Sequence, residues 1–199
     1  MQTKLFFIPA LILLLHFTSQ AQVVKSKDVT ISFFSEAPIE DIQAESKRAV
    51  SALDTETGAI YFKVPIQTFQ FEKSLMQEHF NENYLESDKY PYAEFKGKIK
   101  EKIDLSKAGI YPVTVQGEMT IHNVTRNYQV EGKLQITGEQ IKAQAVFPVK
   151  LADHHIKIPT IVIKHIAEVV QVTVSASYDN SNQEHQESLN ATNSNKTAE

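Results

Sequence analysis

From about residue 22 to residue 178, apolar and polar residues alternate with a dominant period of two. Val113, Val115, Met119 and Ile121 alternate with Thr114, Gln116, Glu118, Thr120 and His122. The same period runs through Tyr128, Val130, Leu134 and Ile136, then through Ile141, Ala143, Ala145, Phe147 and Val149. It returns in Val170, Val172, Val174, Ala176 and Tyr178. Earlier come Val29, Ile31 and Phe33, a weaker stretch Ile42–Leu53, then Ile60, Phe62, Val64 and Ile66, and then Phe95, Ile99 and Ile103. Alternation places one face of each strand in a core and the other in water. Parallel sheets give continuous apolar runs instead, so the pattern predicts an all-β chain with an antiparallel sheet of about eight strands. Gly138-Glu139 separates two alternating runs as a tight hairpin would. Residues 54–58 and 106–109 are similar punctuation. One-sided strands around one core make either a closed barrel or a two-sheet sandwich.

One segment breaks the period. In Phe71–Leu85, the residues Leu75, Met76, His79, Phe80, Asn83 and Tyr84 fall on one stripe at spacings of three and four. Glu72, Lys73, Gln77, Glu78 and Glu82 take the other faces. This predicts an amphipathic helix of about three turns, stopped by the turn-like stretch that ends in Tyr90-Pro91. One helix among strands is placed to plug or lid a barrel.

The ends differ in kind from the middle. Lys4 precedes an apolar run, Leu5–Phe17, and small residues stand at Ser19 and Ala21. That is the pattern of an export signal cleaved after Ala21, and the run falls short of the roughly 20 residues a membrane span needs. No second long apolar run follows, so the chain after cleavage is expected to carry no transmembrane segment. Residues 179–199 are polar, with Leu189 their only large apolar side chain, and are expected to stay disordered. The expected organisation is a signal over 1–21, one folded domain over 22–178 and a polar tail over 179–199.

Composition removes whole classes of chemistry. There is no cysteine, hence no disulfide, thiolate metal site or thiol nucleophile, and no lipid anchor on a cysteine. The formal net charge is −4, with 20 basic and 24 acidic residues, which argues against a nucleic-acid partner. His79, His122, His154, His155 and His165 show neither metal-ligand spacing nor a His-Glu-x-x-His order, so no metal or other cofactor is expected. The bland reading is surface or hydrogen-bonded histidine; the alternative is a weak site at His154 with a distant partner. No Gly-x-Ser-x-Gly elbow is present, and Glu94, Glu118 and Glu131 fall on outward phases, so no catalytic residue is assigned.

Two features point to binding instead. Lys96, Lys98, Lys100 and Lys102 share one face, either as a platform for an anionic partner or as lysines that keep an exposed strand from edge pairing. The inward phases combine bulky residues with small ones at Gly97, Gly117, Gly132, Ala143 and Ala145. Small inward residues leave space for a ligand, although glycine also marks a barrel bend. Composition alone leaves pocket and filled core open.

The stretch 79–97, with Lys89-Tyr90-Pro91 leading into the strand that opens on Phe95, resembles the helix-to-strand segment of the YceI-like family. Residues 115–126, Val-Gln-Gly-Glu-Met-Thr-Ile-His-Asn-Val-Thr-Arg, look like that family's Gly-x-Leu-Thr-Ile-x-Gly-Val-Thr-Arg segment, with Asn123 at the usual glycine. The resemblance spans about residues 28–178. It implies a lipocalin-like antiparallel barrel in a periplasmic protein that holds a polyisoprenoid or another long amphiphile without catalysis. The expected barrel lining is Phe33, Phe62, Phe95, Met119, Leu134, Ala145 and Phe147, with Leu75, Met76 and Phe80 from the helix as gate or floor. His122 and Arg126 flank a turn and are the candidates for a polar headgroup. The other reading is a non-catalytic stress or interaction module with a filled barrel and the lysine face as its contact. Neither reading sets an oligomeric state.

Overall fold

The computed structural model describes residues 23–26, 28–36, 41–158 and 167–179. The predicted signal and nearly all of the polar tail lie outside them, as does His165. Eleven strands form one antiparallel sheet: β1 (Val23–Ser26), β2 (Asp28–Ser35), β3 (Ile42–Ser46), β4 (Val50–Asp54), β5 (Ala59–Pro65), β6 (Gln70–Phe71), β7 (Tyr92–Ile99), β8 (Gly109–Ile121), β9 (Val124–Ile136), β10 (Gln140–Lys150) and β11 (Val169–Asp179). Their order is β1-β4-β5-β7-β8-β9-β10-β11-β2-β3-β6.

Pairing register reduces these eleven to nine, one of them the two-residue β6. Val23 faces Asp54 in β1–β4, and Ser35 faces Ile42 in β2–β3, with one unbroken register through both. β1 with β2, and β3 with β4, are therefore each one bent strand. Because β1 pairs with β4 while β2 pairs with β11, the first strand joins the two ends of the ladder and curls the sheet around a single interior. The long strands alternate between inward, mostly apolar and outward, mostly polar residues, with Ile110 and Val146 as exposed exceptions.

The two ends of this curled sheet are built differently. At the lower end lie the short turns 55–58 and 137–139 and the loop 100–108. The upper end carries the segment 66–91, the turn at 122–123 and residues 151–158. Leu53, Ile136, Ile141, Ala176 and Tyr178 are buried in one cluster at the lower end, and the loop adds Leu105 to it. The Tyr178 hydroxyl lies 2.6 Å from Ser51 Oγ, and Ser51 Oγ donates to the Tyr61 carbonyl at 2.7 Å. Ser51's proton is thus engaged, so Tyr178 donates to Ser51. Burial pushes the Tyr178 phenol up to about 12.

In the upper half the ladder splits twice. β9 pairs with β10 only from Gly132–Ala145 down to Ile136–Ile141, so the upper parts of the two strands diverge. β4 pairs with β5 from Leu53–Ile60 up to Val50–Lys63, but β3 turns away and pairs with β6 instead. Side chains fill both seams. At the first, buried His154 has Nδ1 3.0 Å from the Val124 carbonyl and Nε2 2.9 Å from the Tyr128 hydroxyl. At the second, Phe69 and Phe71 pack against Phe33 and Phe80.

The predicted helix is shorter and differently wound. α1 spans Ser74–His79, and Phe80–Tyr84 is a π-helix. Phe71 is not helical because its backbone pairs with Ala44. The Leu85 N–H donates to the Phe80 carbonyl at 2.9 Å, the wide spacing that marks a π turn. Among the described residues, no helix is long and apolar enough to cross a membrane.

Candidate functional site

A cavity of about 490 Å³ lies inside the curled sheet, running from the upper end down to Ile60 and Ile99. That size lies within the range of small-molecule sites, about 300–1,000 Å³. Each strand of the wall contributes its inward phase. β5 gives Phe62, β7 gives Phe95, β8 gives Met119, and β9 gives Leu134. β10 adds Ala145 and Phe147, and β2 adds Phe33. The helical cover supplies Leu75, Met76 and Phe80. All ten residues expected to line a barrel thus border one cavity. Val172 and Val174 of β11, with Phe69 and Phe71, border it too and were not singled out from the sequence. The sequence signal for the last two is their spacing of two just before the predicted helix, which begins at Phe71.

The cover is lightly held. α1 buries none of its residues, and no side chain caps its N-terminus. Leu75 borders the cavity and is still 59% exposed, so the cavity reaches the surface beneath α1. The cover instead rests on Phe80, whose ring stacks on Phe33 at 5.5 Å and meets Phe71 at 5.0 Å. Aromatic contacts of this kind add about 0.5–1.5 kcal/mol per pair beyond area burial. Of the cover's polar side chains, His79 and Tyr84 border the cavity.

The headgroup candidates do not reach this cavity. His122 and Asn123, with φ of 51° and 58°, form the two-residue turn between β8 and β9 itself, so His122 does not flank the turn. His122 Nε2 lies 2.7 Å from Glu86 Oε2, and its Nδ1 is 3.3 Å from the His154 carbonyl. The hydrogen bond from His122, with help from Lys89, holds the Glu86 carboxyl below the usual range. Arg126 donates to its neighbour's carbonyl, Thr125 O, at 3.0 Å. Both residues border a separate polar hollow beside Tyr90 and His155. Of the two, His122 ties the end of the cover to the barrel rim through Glu86.

Four other expectations are revised or narrowed. Gly97 and Gly117 face each other on β7 and β8. A Cβ on Gly117 would sit 2.2 Å from the Lys96 carbonyl oxygen, and one on Gly97 would sit 2.6 Å from the Phe95 ring. These glycines permit close backbone approach and seat an aromatic ring, so the space beside them is already used. The lysine row does not lie on one strand, because β7 ends at Ile99. β7 is also paired on both sides, so it needs no protection from edge pairing. Glu94 is not simply solvated, since it pairs with Lys63 at 3.2 Å and Lys96 at 3.8 Å. His154, finally, spends both ring nitrogens on protein partners, leaving neither for a metal. Burial holds its ring below the ordinary imidazole range. Among the described residues, no group of three or more potential ligands could hold a metal ion.

The model of the YceI-like domain family matches residues 17–178, most of the chain. This chain belongs to the YceI-like family. Solved structures share the fold at low identity. A polyisoprenoid binding domain from Saccharophagus degradans superposes with a TM-score of 0.67 at 13% identity, covering 80% of this chain and 99% of that one. BcnA from Burkholderia cenocepacia gives 0.64 at 15%, covering 75% and 95%. A YceI protein from Campylobacter jejuni gives 0.52 at 17%, covering 66% and 80%. No curated protein matches the sequence. The residues that make this YceI-like chain hollow above and solid below are read from its own structure.

Proposed function

We propose that this YceI-like protein binds a long apolar or amphiphilic chain, such as an isoprenoid, a quinone tail or another lipid, in the upper cavity and carries it without chemical change. The observation that carries this reading is the cavity itself: about 490 Å³, walled by the inward apolar phases of the sheet and open beneath α1. Burying a chain there gains about 0.8 kcal/mol per CH₂, so affinity needs few polar contacts. The polar end stays at the mouth near His79 and Tyr84 rather than at His122 and Arg126. Residues 1–21 act as an export signal, the folded domain over 22–178 works in the periplasm, and residues 179–199 are a polar tail. The structural neighbour with a polyisoprenoid-binding name supports the ligand class. A filled barrel acting through its lysines is the weaker reading, because the interior is hollow and Lys96 is ion-paired.

The test is native mass spectrometry of the purified full chain, followed by organic extraction. The expected result is one apolar chain per protein, with occupancy reduced at least tenfold in Ala145→Phe, whose ring would fill the middle of the cavity. Protein that is empty and also takes up no added long-chain alcohol contradicts the reading.

A further inference from the structure

The cavity is blind. Its lower boundary is formed by Ile60, Ile99, Val113, Leu134 and Ala143, one from each of five strands. Leu53, which pairs across the ladder with Ile60, and Ile141 and Tyr178, which pair with each other one inward step below Ala143, are fully buried and border no part of the cavity. The Tyr178–Ser51–Tyr61 hydrogen-bond chain fixes that plug to both β11 and the β4–β5 hairpin. A chain entering beneath α1 therefore cannot pass through the barrel, and its buried length is set by the depth of the hollow.

That depth can be read along β8. Its cavity-bordering residues run from Ile121 near the rim to Val113 at the floor. Eight residue steps at about 3.4 Å each give about 27 Å of strand. Strands in such barrels tilt about 40° from the axis, leaving about 20 Å of depth. Carbon–carbon bonds of about 1.5 Å advance about 1.25 Å each in an extended chain, so the hollow takes about sixteen carbons.

We infer that the floor made by Leu134 and Ala143 is a chain-length ruler, selecting ligands whose apolar part is about sixteen main-chain carbons, or about four isoprene units, over longer ones. This rests on the apolar-chain reading above and adds a limit to it. Longer chains must leave their remainder at the mouth, where added carbons stay wet and gain nothing. Ala143 and Leu134 are neighbours across the β9–β10 ladder, so one position can raise the floor and the other lower it.

The experiment uses the full chain and a series of straight-chain primary alcohols, two carbons apart, delivered from cyclodextrin and scored by displacement of a fluorescent fatty alcohol. Affinity is expected to rise about threefold to fourfold per carbon up to about sixteen and then level off. Ala143→Leu moves the break about two carbons shorter, and Leu134→Ala moves it about two carbons longer. If Leu134→Ala does not fold, the shift in Ala143→Leu decides alone. Affinity that keeps rising past about twenty carbons, or a break that the variants leave in place, overturns the ruler while leaving apolar binding intact. Failure of every alcohol to displace the probe overturns the binding reading itself.

Discussion

The lower and upper halves of this barrel are made from the same strands and do opposite jobs. Below, the ladder is continuous and the inward side chains meet. Leu53 and Ile141 are wholly inaccessible, and Tyr178 nearly so. Above, β10 leaves β9 and β3 leaves β5, and the inward residues face a hollow. Splitting a ladder forgoes backbone hydrogen bonds, and facing a hollow forgoes packing contacts. The upper half is therefore the costly half, and the solid lower half stabilises the fold that carries it. A barrel can be both a packed core and a container when the two functions are placed at different depths.

Like-for-like substitutions in the two halves would break or sharpen that contrast. Ile141→Ala at the bottom is expected to cost about 4 kcal/mol, while Ile121→Ala, beside the cavity, costs about 2 kcal/mol by urea unfolding. Equal costs, or the reverse order, break the contrast. Overpacking should separate the halves next. Ala176→Leu in the plug costs about 3 kcal/mol, whereas Ala145→Leu grows into open space and costs under about 1 kcal/mol. Tyr178→Phe removes one buried hydrogen bond and lowers stability by about 1 kcal/mol.

The smallest effect concerns the β9–β10 seam and pH. Burial holds the His154 ring below its ordinary range, so the unfolded chain takes up this proton before the folded one does. Its contribution to stability is complete above the unfolded imidazole value of about 6.5 and is lost as pH falls beneath it. Denaturation midpoints measured between pH 7 and pH 5 should decline, and His154→Gln should flatten that decline. A slope unchanged in the variant would detach His154 from the pH response.

Much of this division could be anticipated from the period of two, and some could not. Alternation marks the inward phase of each strand, so the residues expected to line the interior do face one cavity. Alternation cannot say at which depth a ladder splits, because Ala145 and Ile141 lie on the same phase of the same strand. The register parts β9 and β10 above Gly132, which opens the wall at Ala145 and leaves Ile141 paired with Ile136 in the plug. Small residues misled for a related reason. Gly97 and Gly117 read as vacancies, but in three dimensions a neighbouring backbone and the Phe95 ring occupy that room. His122 sits in the turn rather than beside it, and His-Asn lacks the Asn-Gly or Asp-Gly sequence that usually announces two successive positive φ values. Its contacts with Glu86 and His154, distant in sequence, hold it there.

The most direct test is to watch both halves while a ligand binds. Methyl-labelled protein, with the Ile, Leu and Val signals assigned, would be titrated with a straight-chain alcohol of about sixteen carbons, the length that fills the hollow. The methyls of Val149, Val172 and Met119, if labelled, should shift strongly, while those of Leu53, Ile136 and Ile141 stay in place. Shifts of similar size in both groups, or none around the cavity at saturating ligand, would contradict a barrel that is hollow above and solid below.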